Sequence, residues 1–503
     1  MGQIEDAIHL GKELIIIFKR YNKTKEHIKK FTDQKHYENY CRKMMQGGWK
    51  EIGTDIYKPK TMDIQQILDA RAEPLDYTND QKEALGLIQQ FIADKTALFF
   101  LLVGNAGTGK TTIAENIARY AYASMMAPTN AAVKRLSDKF CSDEIPMERF
   151  RTIHQVLYGA PDPETGEFKP KEGLSPNSVW VVDEASMIDT KMLEDLLRDA
   201  SLKEAKLIFV GDDFQLEPVG KDPKLFTWDA INEEFDPRWK IKLNEVKRND
   251  GNILKVATHL RNAKGTEILN IDQQDFKIVK RFTSDLPLHI RDDDNYIVLC
   301  STNKTRMEYN RHIRRARFEE DAREVVTNYE RLISVANTRF LNGEQFTIKN
   351  PTIIEEHHES FNLGSWKFPK WQKFKIYLVQ HEVVGITGLF KTVVIPELDK
   401  PSLHPMMLMS SQKIMHNPRM TEFIDALGKR FWRSDITIAT YGYATSVHKS
   451  QGNEWDHVFI DGGWLSDAWN HSRWFYTAIT RAKKDVQMLE SFYFKKVDDE
   501  TGS

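Results

Sequence analysis

An unbroken apolar run, Ala97-Leu98-Phe99-Phe100-Leu101-Leu102-Val103, feeds directly into Gly104-Asn105-Ala106-Gly107-Thr108-Gly109-Lys110-Thr111, and a helical pattern from Thr111 to Tyr122 follows. Few arrangements restrict a fold more. Glycines let backbone N–H groups turn inward around phosphate oxygens, and the helix behind them adds the positive end of its dipole. The pattern G-x-x-x-x-G-K-T between a buried strand and a helix predicts a nucleotide-phosphate cradle on a parallel α/β sheet. The candidate nucleotide contacts here are Gly104, Ala106, Gly107, Thr108, Gly109, Lys110, Thr111 and Thr112. Lys110 is placed to reach the β- and γ-phosphates of ATP, and Thr111 to ligate Mg2+ through its hydroxyl.

A cradle of this kind needs a second half. Val179-Trp180-Val181-Val182 reads as another buried strand, and Asp183-Glu184 follows it. Asp183 is the candidate Mg2+ ligand, and Glu184 the group that orients and deprotonates the attacking water. An Asp-Glu pair is ordinarily solvated surface; its place at a strand end beyond a phosphate loop is what gives it meaning. Lys206–Val210 is a third apolar strand, and Gly211-Asp212-Asp213-Phe214-Gln215-Leu216 follows. Gln215 is placed there to sense the γ-phosphate. Upstream, Gln81 precedes the first helix. Its amide donates and accepts at once, which matches the adenine edge, although a lone Gln in such a position is most often on the surface.

The 503 residues suffice for three or four packed units. Hydrophobic residues make up 41% and charged residues 29%, with a net charge of −2, so a uniformly basic coat is excluded but a local strand-binding channel is not. No apolar run is long enough to predict a membrane span, and Met1–Arg20 carries too many charges for a signal peptide. Cys41, Cys141 and Cys300 lie far apart, so neither a zinc cluster nor a disulfide framework is expected, and a cytosolic compartment is.

Residues 1–60 hold thirteen Lys/Arg against eight Asp/Glu. Their first part reads as helix, followed by two short strands around Gly53-Thr54 within Trp49–Tyr57, and a short helix and linker between Thr61 and Pro74. Ile297–Cys300 and Val458–Ile460 repeat the buried-strand pattern, so two parallel sheets are expected. Phe374–Val379 and Lys391–Ile395 read instead as antiparallel strands of an inserted β unit.

The chain resembles the RecD/Dda branch of the superfamily 1 helicases, and within it the phage enzymes, over residues 75–490. The resemblance rests on pieces in a fixed order: Gln81; the phosphate loop; Ala127-Pro128-Thr129-Asn130-Ala131-Ala132; Thr152-Ile153-His154; Asp183-Glu184-Ala185-Ser186-Met187; Gly211–Val219; Leu243–Arg248; Thr302-Asn303; Thr445–Gly452; and Tyr476–Ala482. Glu217 departs from it, standing where the family often has proline, and residues 1–70 have no counterpart. The resemblance implies two RecA-like P-loop NTPase lobes with ATP between them, a β-hairpin pin, an inserted SH3-like β domain and a small N-terminal extension. The expected boundaries are 1–70 for the basic extension, 71–265 for the first lobe with its pin at about 158–178, 266–345 with 435–503 for the second lobe, and 346–434 for the insertion.

The same resemblance aims Arg248 and Arg481 at the γ-phosphate from opposite sides of the cleft, where closure of the lobes would bring both to bear. Glu454, after Gly452, is a candidate for the ribose hydroxyl or else an exposed carboxylate. Thr129, Asn130, Thr152, His154, Thr302, Asn303, Thr445 and His448 are the candidate strand contacts, directed at phosphate and sugar and so indifferent to base sequence; the two histidines could instead be core residues. Phe168 would stack on the base at the fork, unless its loop is plain surface. The implied activity is ATP-driven 5′ to 3′ movement on single-stranded DNA with unwinding of fork DNA, in replication, recombination or repair. A monomer is implied, in the cytoplasm of a phage-infected host, with a single-strand-binding or replication protein as a partner. An RNA helicase and a non-hydrolysing nucleotide-dependent clamp are the alternatives.

Overall fold

The computed structural model describes residues 13–20, 23–29, 50–57, 77–121, 123–142, 145–161, 168–170, 173–217, 236–245, 251–263, 266–280, 295–335, 340, 343–362, 371–394, 436–465 and 470–498. The chain divides into two units, Met1–Leu75 with Arg119–Tyr122, and Asp76–Ala118 with Ala123–Ser503.

The first unit holds β1 (Glu13–Arg20), β2 (Lys23–Lys29) and β3 (Lys50–Tyr57), paired antiparallel in the order β2-β1-β3. Two expectations are corrected here. The helix expected in the first part gives way to strands over 13–29, because Ile15-Ile16-Ile17 is a β-branched run, stiff at χ1, that fits a pleated surface better than a helix. The two short strands expected around Gly53 are one strand, with Gly53 beside a register shift opposite Ile17. A glycine inside a strand marks a bulge as readily as a turn. The helix and linker expected between Thr61 and Pro74 lie outside the described residues.

The second unit opens with α1 (Asn79–Ala93), started by a capping box in which Thr78 Oγ1 accepts from Gln81 N while Gln81 Oε1 accepts from Thr78 N. Its first sheet is built from β4 (Phe99–Gly104), β5 (Ser124–Ala127), β6 (Phe150–Thr152), β9 (Val179–Val182), β10 (Lys206–Gly211) and β11 (Lys240–Leu243). All pairs are parallel, in the order β11-β4-β10-β9-β5-β6. Strands covered on both faces must be apolar throughout, and Leu101, Val103, Val182, Leu207 and Phe209 are fully buried. Each such side chain contributes about 1.5–3 kcal/mol. Helices α2 (Lys110–Tyr120), α3 (Asn130–Phe140), α4 (Ile153–Leu157) and α5 (Thr190–Lys203) make the connections. After α4, β7 (Tyr158–Pro161) and β8 (Phe168–Pro170) pair antiparallel, Pro161 opposite Phe168.

Beyond α6 (Asn252–Asn262), β12 (Glu267–Leu269) pairs with β23 (Lys495–Val497). The second sheet uses β13 (Phe276–Val279), β14 (Tyr296–Cys300), β20 (Ala444–Ser446), β21 (Trp455–Asp461) and β22 (Ala482–Leu489), all parallel, in the order β13-β22-β21-β14-β20. Helix α7 (Asn303–Phe318) follows β14, and α8 (Val447–Ser450) and α9 (His471–Ile479) flank β21. Between α7 and β20 the chain makes a closed barrel of β15 (Arg331–Ser334), β16 (Gln345–Asn362), β17 (Trp371–Val383), β18 (Ile386–Val394) and β19 (Ile436–Tyr441). The insertion expected at 346–434 is thus closed by strands from either side of it. Among the described residues no helix is long and apolar enough to cross a membrane.

Candidate active site

β4 delivers Gly104 at its carboxyl end and α2 begins at Lys110. In the turn between them Gly107 (φ 82°) and Gly109 (φ 81°) take the left-handed backbone that glycine adopts without a Cβ penalty. A Cβ on Gly109 would collide with the Gln81 amide. That amide donates from Nε2 to Thr108 O at 2.7 Å, while its oxygen closes the capping box. Both ends of the group expected at the adenine are therefore engaged by main chain, and Gln81 braces the phosphate loop against α1. Lys110 Nζ donates to Gly104 O and Asn105 O, each at 2.7 Å. Burial pushes its ammonium pKa down, against the charges of Asp212, Glu184 and Asp183.

Asp183 and Glu184 follow β9, both buried, and Glu184 sits in left-handed backbone at φ 52°. Burial and the adjacent Glu184 charge push the Asp183 carboxyl up. For Glu184 burial acts in the same sense, but the charges of Arg135, Arg481 and Lys110 outweigh it and hold the carboxyl below its usual range. Arg481, just after the C-cap of α9, is 3% exposed and so not a surface residue. Its guanidinium donates to Thr477 O at 3.1 Å, Asn453 O at 3.4 Å and Thr480 Oγ1 at 3.3 Å. Charges from two sheets thus act on Glu184: Lys110, half-buried, from the first and Arg481, buried, from the second. Arg248 lies outside the described residues.

Several contacts that grip the segment after β10 were not anticipated. Tyr476 on α9 donates its hydroxyl to Asp212 Oδ2 at 2.6 Å and accepts from Ala106 N in the phosphate loop at 3.0 Å. Leu216 N donates to Thr477 Oγ1 at 2.9 Å, Gln451 Nε2 to Leu216 O at 2.9 Å, and Arg473 Nη1 to Gln215 O at 3.1 Å. Arg261 on α6 pairs with Asp212 at 2.9 Å and also with Asp213. Glu217, the residue standing in for the family's proline, lies 3.8 Å from Arg473. Arg135 on α3 was also missed: its Nη2 lies 3.2 Å from Asp183 Oδ2 and 2.9 Å from Glu184 Oε1. The available signal was its place at the flank of the helix's buried stripe of Ala132, Val133, Leu136 and Phe140.

The donor chemistry suits the groups implied by the loop. Among the described residues, Asn105 Oδ1 and Gln215 Oε1 are buried without a hydrogen-bond partner. Buried polar atoms are normally paired, so these suit a nucleotide that brings its own polar groups. Thr111 and Asp183 offer hard oxygen donors, and among the described residues no three acidic, imidazole or thiol groups converge. Hard oxygen donors of this kind suit Mg2+ held beside substrate phosphates. Beside them a cleft of about 640 Å³ is lined by Thr111, Arg135, Gly452, Glu454, Trp455 and Lys483. Glu454 there lies 4.0 Å from Lys483 Nζ.

The expected strand contacts sit at or just beyond the carboxyl ends of parallel strands, the edge at which α/β sheets bind ligands. Thr129 follows β5, Thr152 ends β6, Thr302 follows β14 and Thr445 lies in β20. Three are helix N-caps: Thr129 Oγ1 accepts from Ala132 N at 3.2 Å, Thr152 Oγ1 from Gln155 N at 3.1 Å, and Thr302 Oγ1 from Thr305 N at 3.1 Å. Asn130 and Asn303 open the helices so capped and are half-buried, whereas Thr445 is 2% exposed. His154 is exposed, 5.5 Å ring to ring from Tyr158, and is not a core histidine. His448 is half-buried, and burial lowers its pKa to about 4, so it is neutral at pH 7. The side chain of Phe168 lies outside the described residues.

Comparison with known proteins matches the same stretch of the chain. The family described as AAA domain matches residues 76–279, and the UvrD-like helicase C-terminal domain matches 441–489. The ATP-dependent DNA helicase dda of Enterobacteria phage T4 is 26% identical over 458 residues, covering 82% of this chain and 98% of its own. Protein R530 of Acanthamoeba polyphaga mimivirus is 25% identical over 473 residues, covering 76% and 93%. The RecBCD subunit RecD of Buchnera aphidicola (subsp. Schizaphis graminum) is 30% identical over 210 residues, covering 38% and 34%. Among solved structures, Pif1 helicase from Bacteroides in complex with ADP-AlF3 and ssDNA aligns over 82% of this chain and 92% of its own at 16% identity, with a TM-score of 0.42. The pieces from the phosphate loop to the arginine just after α9, together with these matches, support a superfamily 1 helicase of the Dda, RecD and Pif1 type.

Proposed function

We propose that this protein is an ATP-driven DNA helicase that moves 5′ to 3′ along a single strand and separates duplex ahead of it. The observation that carries the reading is that Asp183 and Glu184 of one sheet and Arg481 of the other are all buried, with the half-buried Lys110 beside them and the Arg481 charge near enough to act on Glu184. Charge from a second sheet acts fully only when the two sheets are held together, so hydrolysis and relative movement are linked. In this reading Lys110 steadies the β- and γ-phosphates, Glu184 takes the proton of the attacking water, and Arg481 with Arg248 balances charge on the γ-phosphate oxygens. Thr111 and Asp183 would hold Mg2+, which would supply electrostatic stabilisation of the phosphates. Gln215 reports the γ-phosphate state, Gly452 and Glu454 border the nucleotide, and Gln81 acts through the loop it braces. Thr129, Asn130, Thr152, His154, Thr302, Asn303, Thr445 and His448 hold the strand by phosphate and sugar. The β7–β8 hairpin serves as the pin, and the closed barrel is the SH3-like insertion. Polarity is carried by the family resemblance.

The test is ATP hydrolysis with and without single-stranded DNA, followed by unwinding of forks tailed at the 5′ or the 3′ end. Strand-stimulated turnover with unwinding of the 5′-tailed fork is expected. Stimulation by RNA alone would make the substrate RNA, and nucleotide binding without turnover would leave a clamp.

A further inference from the structure

Arg135 belongs to none of the motif pieces that identify the chain, yet its guanidinium contacts both carboxylates that follow β9. Two adjacent buried acids repel one another, and an arginine between them fixes where each points. The packing of α3 does not need it: Val133, Leu136 and Phe140 bury that helix, and a buried ion pair is by itself weak evidence for stability. Helix α3 also reaches the second sheet's side of the unit. A Cβ on Gly452 would lie 3.3 Å from Ala132 Cβ and 3.4 Å from Thr129 Oγ1, so the first turn of α3 packs closely on the loop after α8. Farther along, Lys134 Nζ lies 3.6 Å from Glu344 Oε1. The element that begins at Thr129 and Asn130 therefore ends its second turn on Glu184.

We infer that Arg135 is a positioning residue that sets the Glu184 carboxylate for hydrolysis and makes its setting depend on whether a strand occupies the start of α3. The inference rests on the reading of Glu184 as the base and of Thr129 and Asn130 as strand contacts. A rigid helix transmits a small displacement of its first turn to its second, and a displacement of about 1 Å at a reacting group is enough to cost about a hundredfold in rate.

The experiment compares the full chain with R135A, R135Q, R135K and E184Q. It measures kcat and KM for ATP with and without single-stranded DNA, strand affinity by fluorescence anisotropy, and thermal melting. R135A is expected to lower strand-stimulated kcat by about tenfold or more, with KM and strand affinity within about threefold. The ratio of stimulated to unstimulated turnover should fall towards one. R135K should recover part of kcat but less of that ratio, because a point charge lacks the guanidinium fork. A folded R135A with a normal ratio beside a dead E184Q would overturn the inference alone. Normal turnover by E184Q would overturn the reading of Glu184 beneath it. Loss of melting temperature and nucleotide binding together, in R135Q as in R135A, would show a structural role and also overturn it.

Discussion

Tyr476 has one hydroxyl and two partners of unequal kind: it donates to a buried carboxylate of Asp212 and accepts from the backbone amide of Ala106. Tyr476→Phe keeps the ring and leaves both partners short of a bond. Unsatisfied buried groups cost about 1–3 kcal/mol, so the urea midpoint of the variant should fall by an equivalent amount; an unchanged midpoint would mean that the bridge contributes nothing. For Arg481 the guanidinium is already held by three oxygens of its own neighbourhood, so alanine removes charge without opening a strand of the sheet. Arg481→Ala is expected to keep nucleotide binding and cut strand-stimulated hydrolysis by about a hundredfold or more, the low end for an arginine finger. A loss below about threefold would place Arg481 away from the phosphate. Residues of this kind differ in how far the sequence exposes them. Lys110 and Thr111 are legible because glycine spacing and a helix start dictate their place. Arg135 is not, and Tyr476 is legible only as part of a motif piece and not in its two bonds, because their partners are far away in the chain and nothing local requires them. Gln81 shows the opposite difficulty, since its position is legible while its partners, Thr108 O and Thr78 N, depend on how the loop folds back on α1.

At the scale of elements, the unbroken apolar runs of β4, β9, β10 and β14 announce strands covered on both faces, and the two parallel sheets follow. The strands of the first unit were missed because charged residues around Ile15-Ile16-Ile17 suggest an amphipathic helix, and only pairing with β2 and β3 decides the matter. The full extent of the barrel was hidden too: β15 is four residues long, and what makes it a barrel strand is its pairing with β16 and β19. The β7–β8 hairpin belongs to the same scale. Holding a strand needs only the sheet edges, but separating a base pair needs something that replaces lost stacking. A base–aromatic stack contributes about 1–3 kcal/mol, comparable with about 1.4 kcal/mol for one DNA step. Phe168 lies between Tyr158 and Trp180 with no other aromatic between them. Phe168→Ala should therefore keep most strand-stimulated ATPase and lose most unwinding, both measured on one preparation. Unchanged unwinding would return the hairpin to plain surface.

For the whole molecule, the question is what the first unit adds. Every group assigned to nucleotide or strand lies at or after Gln81, and the bonds that brace the phosphate loop come from Gln81, Lys110 and Tyr476, all in the second unit. Removing residues 1–60 should therefore leave kcat at saturating strand nearly unchanged. The deleted stretch is not neutral, however, with thirteen Lys/Arg against eight Asp/Glu. Cations near a strand release counterions on binding, and each phosphate neutralised adds about 0.7 to the steepness of log affinity against log salt for a single strand. If the basic stretch meets DNA, the truncated chain binds more weakly at low salt, with a shallower slope and an affinity that converges on that of the full chain as salt rises. The measurement is a salt titration of strand affinity for both chains beside their ATPase at saturating strand. A truncated chain that melts cooperatively but shows no strand-stimulated hydrolysis would place part of the motor in the first unit. Equal slopes would assign its basic residues to something other than DNA.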